Sequence, residues 1–332
     1  MLRKIYQFAR EIMKKAILLL VCNLFAMAVF AQTNMAYPHC NCTETISKDD
    51  VYQLKCGEIL IEEGRYIDQK RSGEWISRNT AGNIIIKANY TEGVLDGAYE
   101  QFHFKGKPKL VARFQNGLQE GKWTYFNDKG RVIKEGSFAG GQPIGIWTSY
   151  DKSGKRVVAQ YDFDSKQVKV SEGAERYFNK GGIARDDASG EWMVLHFPHR
   201  NIKSDVEPFA GYLIAGDLFL DYTSIPLIFM NTYAHYEFIA ELKVSNGIVT
   251  VASIQEKASS EAFDANAPSF PFIVQTNSPN KLSRVQPSEE SLKLLKDRLQ
   301  EMLALTGPWI TNGYEGVIKV QIPFVLNEIH KF

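Results

Sequence analysis

Net charge is almost missing from this sequence: 39 basic side chains stand against 38 acidic ones in 332 residues. No clustered basic face is visible, which excludes the electrostatic footprint of a nucleic-acid binder. Cysteine is scarce, with four in the chain, far below a disulfide-dense scaffold. The longest apolar run, Ala16 to Phe30, contains Asn23 and is short of the roughly 20 residues that a membrane-spanning helix requires. Catalytic signatures are also missing. There is no G-x-S-x-G elbow, no P-loop, no H-E-x-x-H and no dinucleotide fingerprint. The acidic pairs Glu62-Glu63, Asp186-Asp187 and Glu289-Glu290 are adjacent in sequence. Neighbours on a strand point to opposite faces, so such pairs are poorly suited to acid-base work. The expectation is a non-enzymatic chain without a cofactor or a metal site.

The first 31 residues read as a secretory signal. Five basic residues (Arg3, Lys4, Arg10, Lys14, Lys15) and one acid, Glu11, precede the apolar run. Val29-Phe30-Ala31 then gives a variant of the A-x-A cleavage pattern before Gln32, with Ala26-Met27-Ala28 as the rival site. An uncleaved anchor is the alternative reading. Because the whole chain carries +1 and this stretch +4, the remainder is mildly acidic at −3.

Export places Cys40, Cys42 and Cys56 where disulfides persist. Three cysteines leave one over, and the expectation is that Cys56 pairs with Cys40 or Cys42. A metal site of His39, Cys40, Cys42 and Cys56 is the competing arrangement, but C-x-C-x13-C is not a zinc spacing.

The strongest signal is periodic. Gly73, Gly97, Gly121 and Gly145 recur every 24 residues. Trp75, Tyr99, Trp123 and Trp147 follow two positions later, and Gly82, Gly106, Gly130 and Gly154 keep the same spacing. Tyr66, Tyr90, Phe114 and Phe138 form another series, as do Gly93, Gly117 and Gly141. A period of this size marks an array of one supersecondary unit. Turns such as Asn127-Asp-Lys-Gly130 have type I chemistry, and Asn116-Gly117 offers a positive-φ connection. The unit is therefore a β-hairpin, and hairpins must stack to be stable. The ring at each Trp75-equivalent position is expected to fill the shared core rather than form a ligand ladder.

The glycine-aromatic units, such as Gly121-Lys-Trp123 through Gly130, resemble MORN repeats, closest to the bacterial variant known as YwqK-type antitoxin. The resemblance covers residues 64–162. It implies a scaffold or protein-binding surface with some membrane association, or an antitoxin or immunity role.

Residues 32–63 form a Cys-containing N-terminal segment and 163–207 a linker or degenerate repeat, where Gly190-Glu-Trp192 echoes Gly73-Glu-Trp75. His196 and His199 flank Pro198 and read as surface residues rather than a metal pair. Further on, Tyr236 to Val244 alternates as a strand, Asn246-Gly247 makes a hairpin turn, and Ile248 to Ile254 returns. Ser288 is a candidate N-cap for a helix carrying Leu292, Leu295, Leu299, Met302 and Leu303 on one stripe. Gly307-Pro308 stops it, and Gly316 to Leu326 is the last strand. The fold class expected is mainly β: hairpin repeats followed by an α+β domain of β-β-α-β order over residues 208–332.

This second unit resembles the C-terminal domain of TonB as it occurs in large Bacteroidetes envelope proteins. The hairpin at Asn246-Gly247, the Leu-rich helix, Gly307-Pro308-Trp309, Asn312-Gly313 and Ile322-Pro323-Phe324 carry the resemblance. It implies main-chain pairing of a sheet edge with a protein strand or peptide. The expected partner is a protein of the cell envelope such as an outer-membrane transporter, in the periplasm or at the outer membrane. A TonB-like energy transducer with an uncleaved anchor is the alternative. The Tyr-Pro-x-x-Ala element and a long proline-rich spacer are missing; Ile225-Pro226 is a weak substitute.

Overall fold

The computed structural model describes residues 42–79, 81–103, 105–171, 182–185, 192–195, 206–209, 234–257, 268–270, 272–274 and 288–326. The expected signal segment, Cys40, His196, His199 and Ile225-Pro226 lie outside them. Among the described residues no helix is long and apolar enough to cross a membrane.

Twelve strands follow one another in a single antiparallel meander whose spatial order is the chain order. They are β1 (Cys42–Ile46), β2 (Val51–Cys56), β3 (Ile59–Ile67), β4 (Lys70–Arg78), β5 (Ile84–Thr91), β6 (Val94–Phe102), β7 (Pro108–Gln115), β8 (Leu118–Phe126), β9 (Val132–Ala139), β10 (Gln142–Tyr150), β11 (Val157–Asp162) and β12 (Gln167–Ser171). The sheet extends beyond the repeat span 64–162 at both ends. At its start, Cys42 faces Cys56 across β1 and β2, and the two are joined by a disulfide.

Local chemistry sets the turns. Asn127 Oδ1 accepts from the backbone N–H groups of Lys129 and Arg131, both at 3.0 Å, while Gly130 donates to the Asn127 carbonyl at 2.8 Å. The opposite connections use two successive positive-φ residues, for example Asn116 (φ 50°) and Gly117 (φ 80°), the hairpin geometry that matches strand twist. The Gly73 series has another task. Each glycine sits mid-strand at positive φ, where the pairing register slips. A bulge there bends the strand just ahead of its ring.

The rings stack as core. Trp75, Tyr99, Trp123 and Trp147 are all buried. Each indole donates to a carbonyl ten residues back: Trp75 to Arg65, Trp123 to Arg113 and Trp147 to Ser137, at 3.0–3.3 Å. Beneath the rings runs a series of small residues at the same period, Gly64, Ala88, Ala112 and Gly136. A Cβ on Gly64 would fall inside the Trp75 indole, and one on Gly136 inside that of Trp147. Edge-on contacts link Phe114, Trp123, Phe138 and Trp147 at centroid separations of 5.0–5.3 Å.

Short pairs follow the array: β13 (Gly182–Arg185) with β14 (Trp192–Leu195), and β15 (Glu207–Pro208) with a later strand, β19 (Trp309–Ile310). The last unit contains β16 (Ala234–Ser245), β17 (Ile248–Glu256), β18 (Phe272–Val274), helix α1 (Glu289–Ala304) and β20 (Gly316–Leu326). Their sheet order is β17-β16-β20-β18, with β18 parallel to β20. Ser288 caps α1, its hydroxyl accepting from Ser291 N–H at 3.2 Å. Leu295, Leu299, Met302 and Leu303 pack on Phe238, Leu242, Ile322 and Phe324 of the sheet. Pro323 faces Glu237 of β16. On its other side it falls between the Ser269–Gln321 bridge and the Phe272–Phe324 pair, where the ladder lacks a rung that its missing N–H would make.

Two outcomes follow. Gly136→Ala forces a methyl into the Trp147 indole and is expected to lower unfolding free energy by about 2 kcal/mol in urea titration. Gln69 sits at φ 62° where the next three repeats have glycine; Gln69→Gly relieves that left-handed position and is expected to raise stability by up to about 1 kcal/mol.

Candidate functional site

Each of the last carbonyls of a helix lacks an intrahelical donor, and the helix dipole gathers partial negative charge there. Helix α1 has no basic residue in its last turn. The repeat array supplies donors to the last helix carbonyl, at Ala304, and to the carbonyls of the three residues that follow. Gln119 Nε2 reaches the Ala304 carbonyl at 3.4 Å. The Tyr125 hydroxyl donates to the Leu305 carbonyl at 2.9 Å, with the Gly307 carbonyl at 3.2 Å. Lys134 Nζ donates to the carbonyls of Thr306 at 3.0 Å and Gly307 at 2.7 Å. Its ammonium also lies 4.0 Å from the Tyr125 ring centroid, so two carbonyls and one π face take its three N–H bonds.

Tyr125 and Lys134 are a direct cross-strand pair on β8 and β9, and Lys134 is fully buried. Burial pushes its ammonium down to about 7. Burial also pushes the Tyr125 hydroxyl up, which keeps it a donor.

The seam continues in both directions. Toward the start of the array, Glu62 Oε1 accepts from Arg71 at 3.2 Å and Ser77 at 3.3 Å. The Arg71 guanidinium stands 4.2 Å from the centroid of the Trp75 ring. Arg298 of α1 is within electrostatic reach of Glu62 and Tyr99 and pairs with Glu301 at 2.9 Å. Toward its end, Gln142 Nε2 donates to the Asn246 carbonyl at 3.0 Å, and Phe209 joins Trp147 and Phe163 in the array core. A cleft of about 360 Å³ lies here, between Tyr161, Phe163 and Lys166 on one side and Trp309, Asn312 and Glu315 on the other. Tyr161 and Trp309 are both 7% exposed, so their rings face their own neighbours more than the cleft.

The structure therefore places Trp75, Tyr99, Trp123 and Trp147, with Gly73, Gly97, Gly121 and Gly145, inside the array. Glu62 and Glu63 diverge, Glu62 toward Arg71 and Glu63 toward Arg78. Among the described residues no cluster of His, Cys, Asp or Glu has metal-ligand geometry. The residues that sequence reasoning missed are Tyr125 and Lys134. A signal for Lys134 was present. Its phase in the repeat reads Glu62, Ile86, Leu110, Lys134, Val158, and a lysine amid apolar residues at a buried phase has a dedicated partner or is misplaced.

No family model matches the chain and no curated protein does. Among solved structures, a mutant of S. aureus TarM in complex with fondaparinux, α-GlcNAc-glycerol and UDP overlaps 43% of this chain and 25% of its own, at 13% identity and a TM-score of 0.21. A second TarM structure gives the same identity and TM-score over 24% of its length. The overlap thus spans about a quarter of the TarM chain, and a similarity this low carries no argument about fold or activity.

Removing the Tyr125 hydroxyl leaves the part-buried Leu305 carbonyl without that donor. Tyr125→Phe is expected to lower unfolding free energy by about 1–3 kcal/mol. Hydrogen exchange should place the loss at the end of α1 and along β8.

Proposed function

We propose that this chain is a non-enzymatic, exported protein-binding module of the cell envelope, in which the repeat array is a scaffold and the C-terminal domain receives an extended protein strand. The observation that carries this reading is the sheet order. Strand β17 is nine residues long, free of Gly and Pro, and among the described residues has a sheet neighbour on one side alone. An edge of that kind offers unpaired main-chain donors and acceptors to a partner strand.

Two further features support it. Helix α1 packs on this sheet, and its end and the residues just past it are bonded to the array, so the edge is held by a platform rather than by a tether. The pairing of β17 with β16 shifts register between Glu241 and Leu242, and Gln300 Nε2 caps the Val251 carbonyl at 3.4 Å. The strand centre is therefore guarded against casual pairing, and a partner would engage the stretches on either side of Ala252. The resemblances to MORN repeats and to the TonB C-terminal domain agree with a scaffold that presents a strand-binding edge. The basic-then-apolar N-terminus agrees with export.

Site-specific photo-crosslinking in native envelopes tests the reading. A cross-linking residue at Thr250 or Gln255 of the full chain is expected to give a discrete protein adduct. The same probe at Lys122, on the outer face of the array, is expected to give none. Adducts from Lys122 with none from β17 would move the working surface to the repeats and overturn the assignment to the sheet edge.

A further inference from the structure

Lys134 is an ammonium enclosed at the contact between two parts of the chain about 170 residues apart in sequence. No carboxylate bonds to it among the described residues. From β8 it meets the Tyr125 ring, and from β10 it faces Ser149, itself buried and bonded to the Ile133 carbonyl. From the segment after α1 it meets carbonyl oxygens and the neighbouring Thr306 hydroxyl, which donates back to Leu303 at 2.7 Å. The charged pair Lys122–Glu135 belongs to the neighbouring positions of the same strands, whose side chains point to the opposite sheet face. The last-turn acid of α1, Glu301, has a 60% exposed side chain and pairs with Arg298. The groups around Lys134 therefore contribute dipoles and no opposing unit charge. When the seam parts, the same ammonium returns to water.

Taking a charge out of water without a counter-charge is unfavourable, and a neutral amine escapes that cost. An amine still carries two N–H bonds, enough for the Thr306 and Gly307 carbonyls. Tyr125 remains a hydroxyl donor across the same pH range, because burial moves its ionisation upward. Only Lys134 among the seam's central donors changes charge near neutrality.

We propose that the seam is a proton-linked latch: docking the C-terminal domain onto the array expels a proton from Lys134, so acidification loosens the contact and alkalinisation tightens it. The sign follows from linkage. The docked lysine titrates at about 7, and the undocked one near the ordinary lysine value of about 10.4. Below pH 7 both forms are charged and the docked one bears the full cost of burial. Between the two values docking releases a proton, and the docking equilibrium constant gains about tenfold per pH unit. Above the upper value no further gain accrues. The contact is thus weakest at and below about pH 7 and tightens only as the pH rises above that value. The latch does not depend on the proposed partner, because both of its halves belong to this chain.

Two measurements on the full chain decide it. With ¹³C-labelled lysine, the Lys134 side-chain signal, identified by its loss in Lys134→Met, is expected to titrate near pH 7. Hydrogen exchange over residues 303–309, corrected for intrinsic rates, is expected to slow by about a hundredfold from pH 7 to pH 9. In Lys134→Met, which keeps the length of the chain without its charge, that slowing should be absent. A lysine that titrates above 10, or protection that does not change with pH in the wild type, overturns the latch. So does an unchanged slope in Lys134→Met. If Lys134→Met does not fold, the wild-type exchange profile and the absence or presence of any lysine titrating near 7 still decide.

Discussion

A tryptophan lying flat on a residue with little or no side chain is the contact on which the rest of this structure depends. One hairpin of the array cannot hold itself together in water, because it has a single buried face and nothing to bury it against. Ring contacts such as Trp123 with Phe138 join one hairpin to the next, and the indole of Trp147 over Gly136, like that of Trp75 over Gly64, locks the two strands of a hairpin. Its N–H reaches the carbonyl beside that small residue, so the ring is both packed and oriented. The bulge at each preceding glycine bends the strand so that the ring can turn inward. Periodicity in the sequence is thus the record of one packing solution used repeatedly.

A long sheet built this way is rigid but has a bare buried-side row at the opposite end of its strands from the turns of the Gly93 series. In the first repeats that row is occupied by Glu62, Ser77 and Gln101, and further along by Leu110, Tyr125, Lys134 and Ser149. The end of helix α1 and the residues just past it lie against that row. The helix packs on the C-terminal sheet through its leucines, and Leu305 and Ile310, beyond its end, join the array core. Its exposed carbonyls, ordinarily a weakness of any helix terminus, become the recognition element.

The seam is polar where a hydrophobic contact would have been sufficient for adhesion. Apolar contacts resist water but specify position poorly, whereas three carbonyls met by one hydroxyl and one ammonium fix both register and orientation. The proposed strand-binding edge would benefit from that definition. The same choice of a lysine without a carboxylate makes the contact sensitive to protonation, which an aliphatic seam would not be.

The sequence by itself determined the repeat, the hairpin turns, the inward position of the rings, and the α1 stripe with its Ser288 cap. These are local properties: they depend on turn chemistry, on 2.0 or 3.6 periodicity and on neighbours within a few residues. It left open which cysteine pairs with Cys56, and the sheet decided for Cys42 by setting the two opposite each other. It did not announce that residues 42–63 continue the sheet, that β18 joins β20 in parallel, or that Pro323 falls at a missing rung. Lys134 is the clearest case. Its phase marked it as out of place, but its partners, the carbonyls of Thr306 and Gly307, are backbone atoms that every residue possesses and no pattern distinguishes. Only the tertiary structure, by bringing a helix end about 170 residues distant onto β9, turned a buried charge from an inconsistency into a contact.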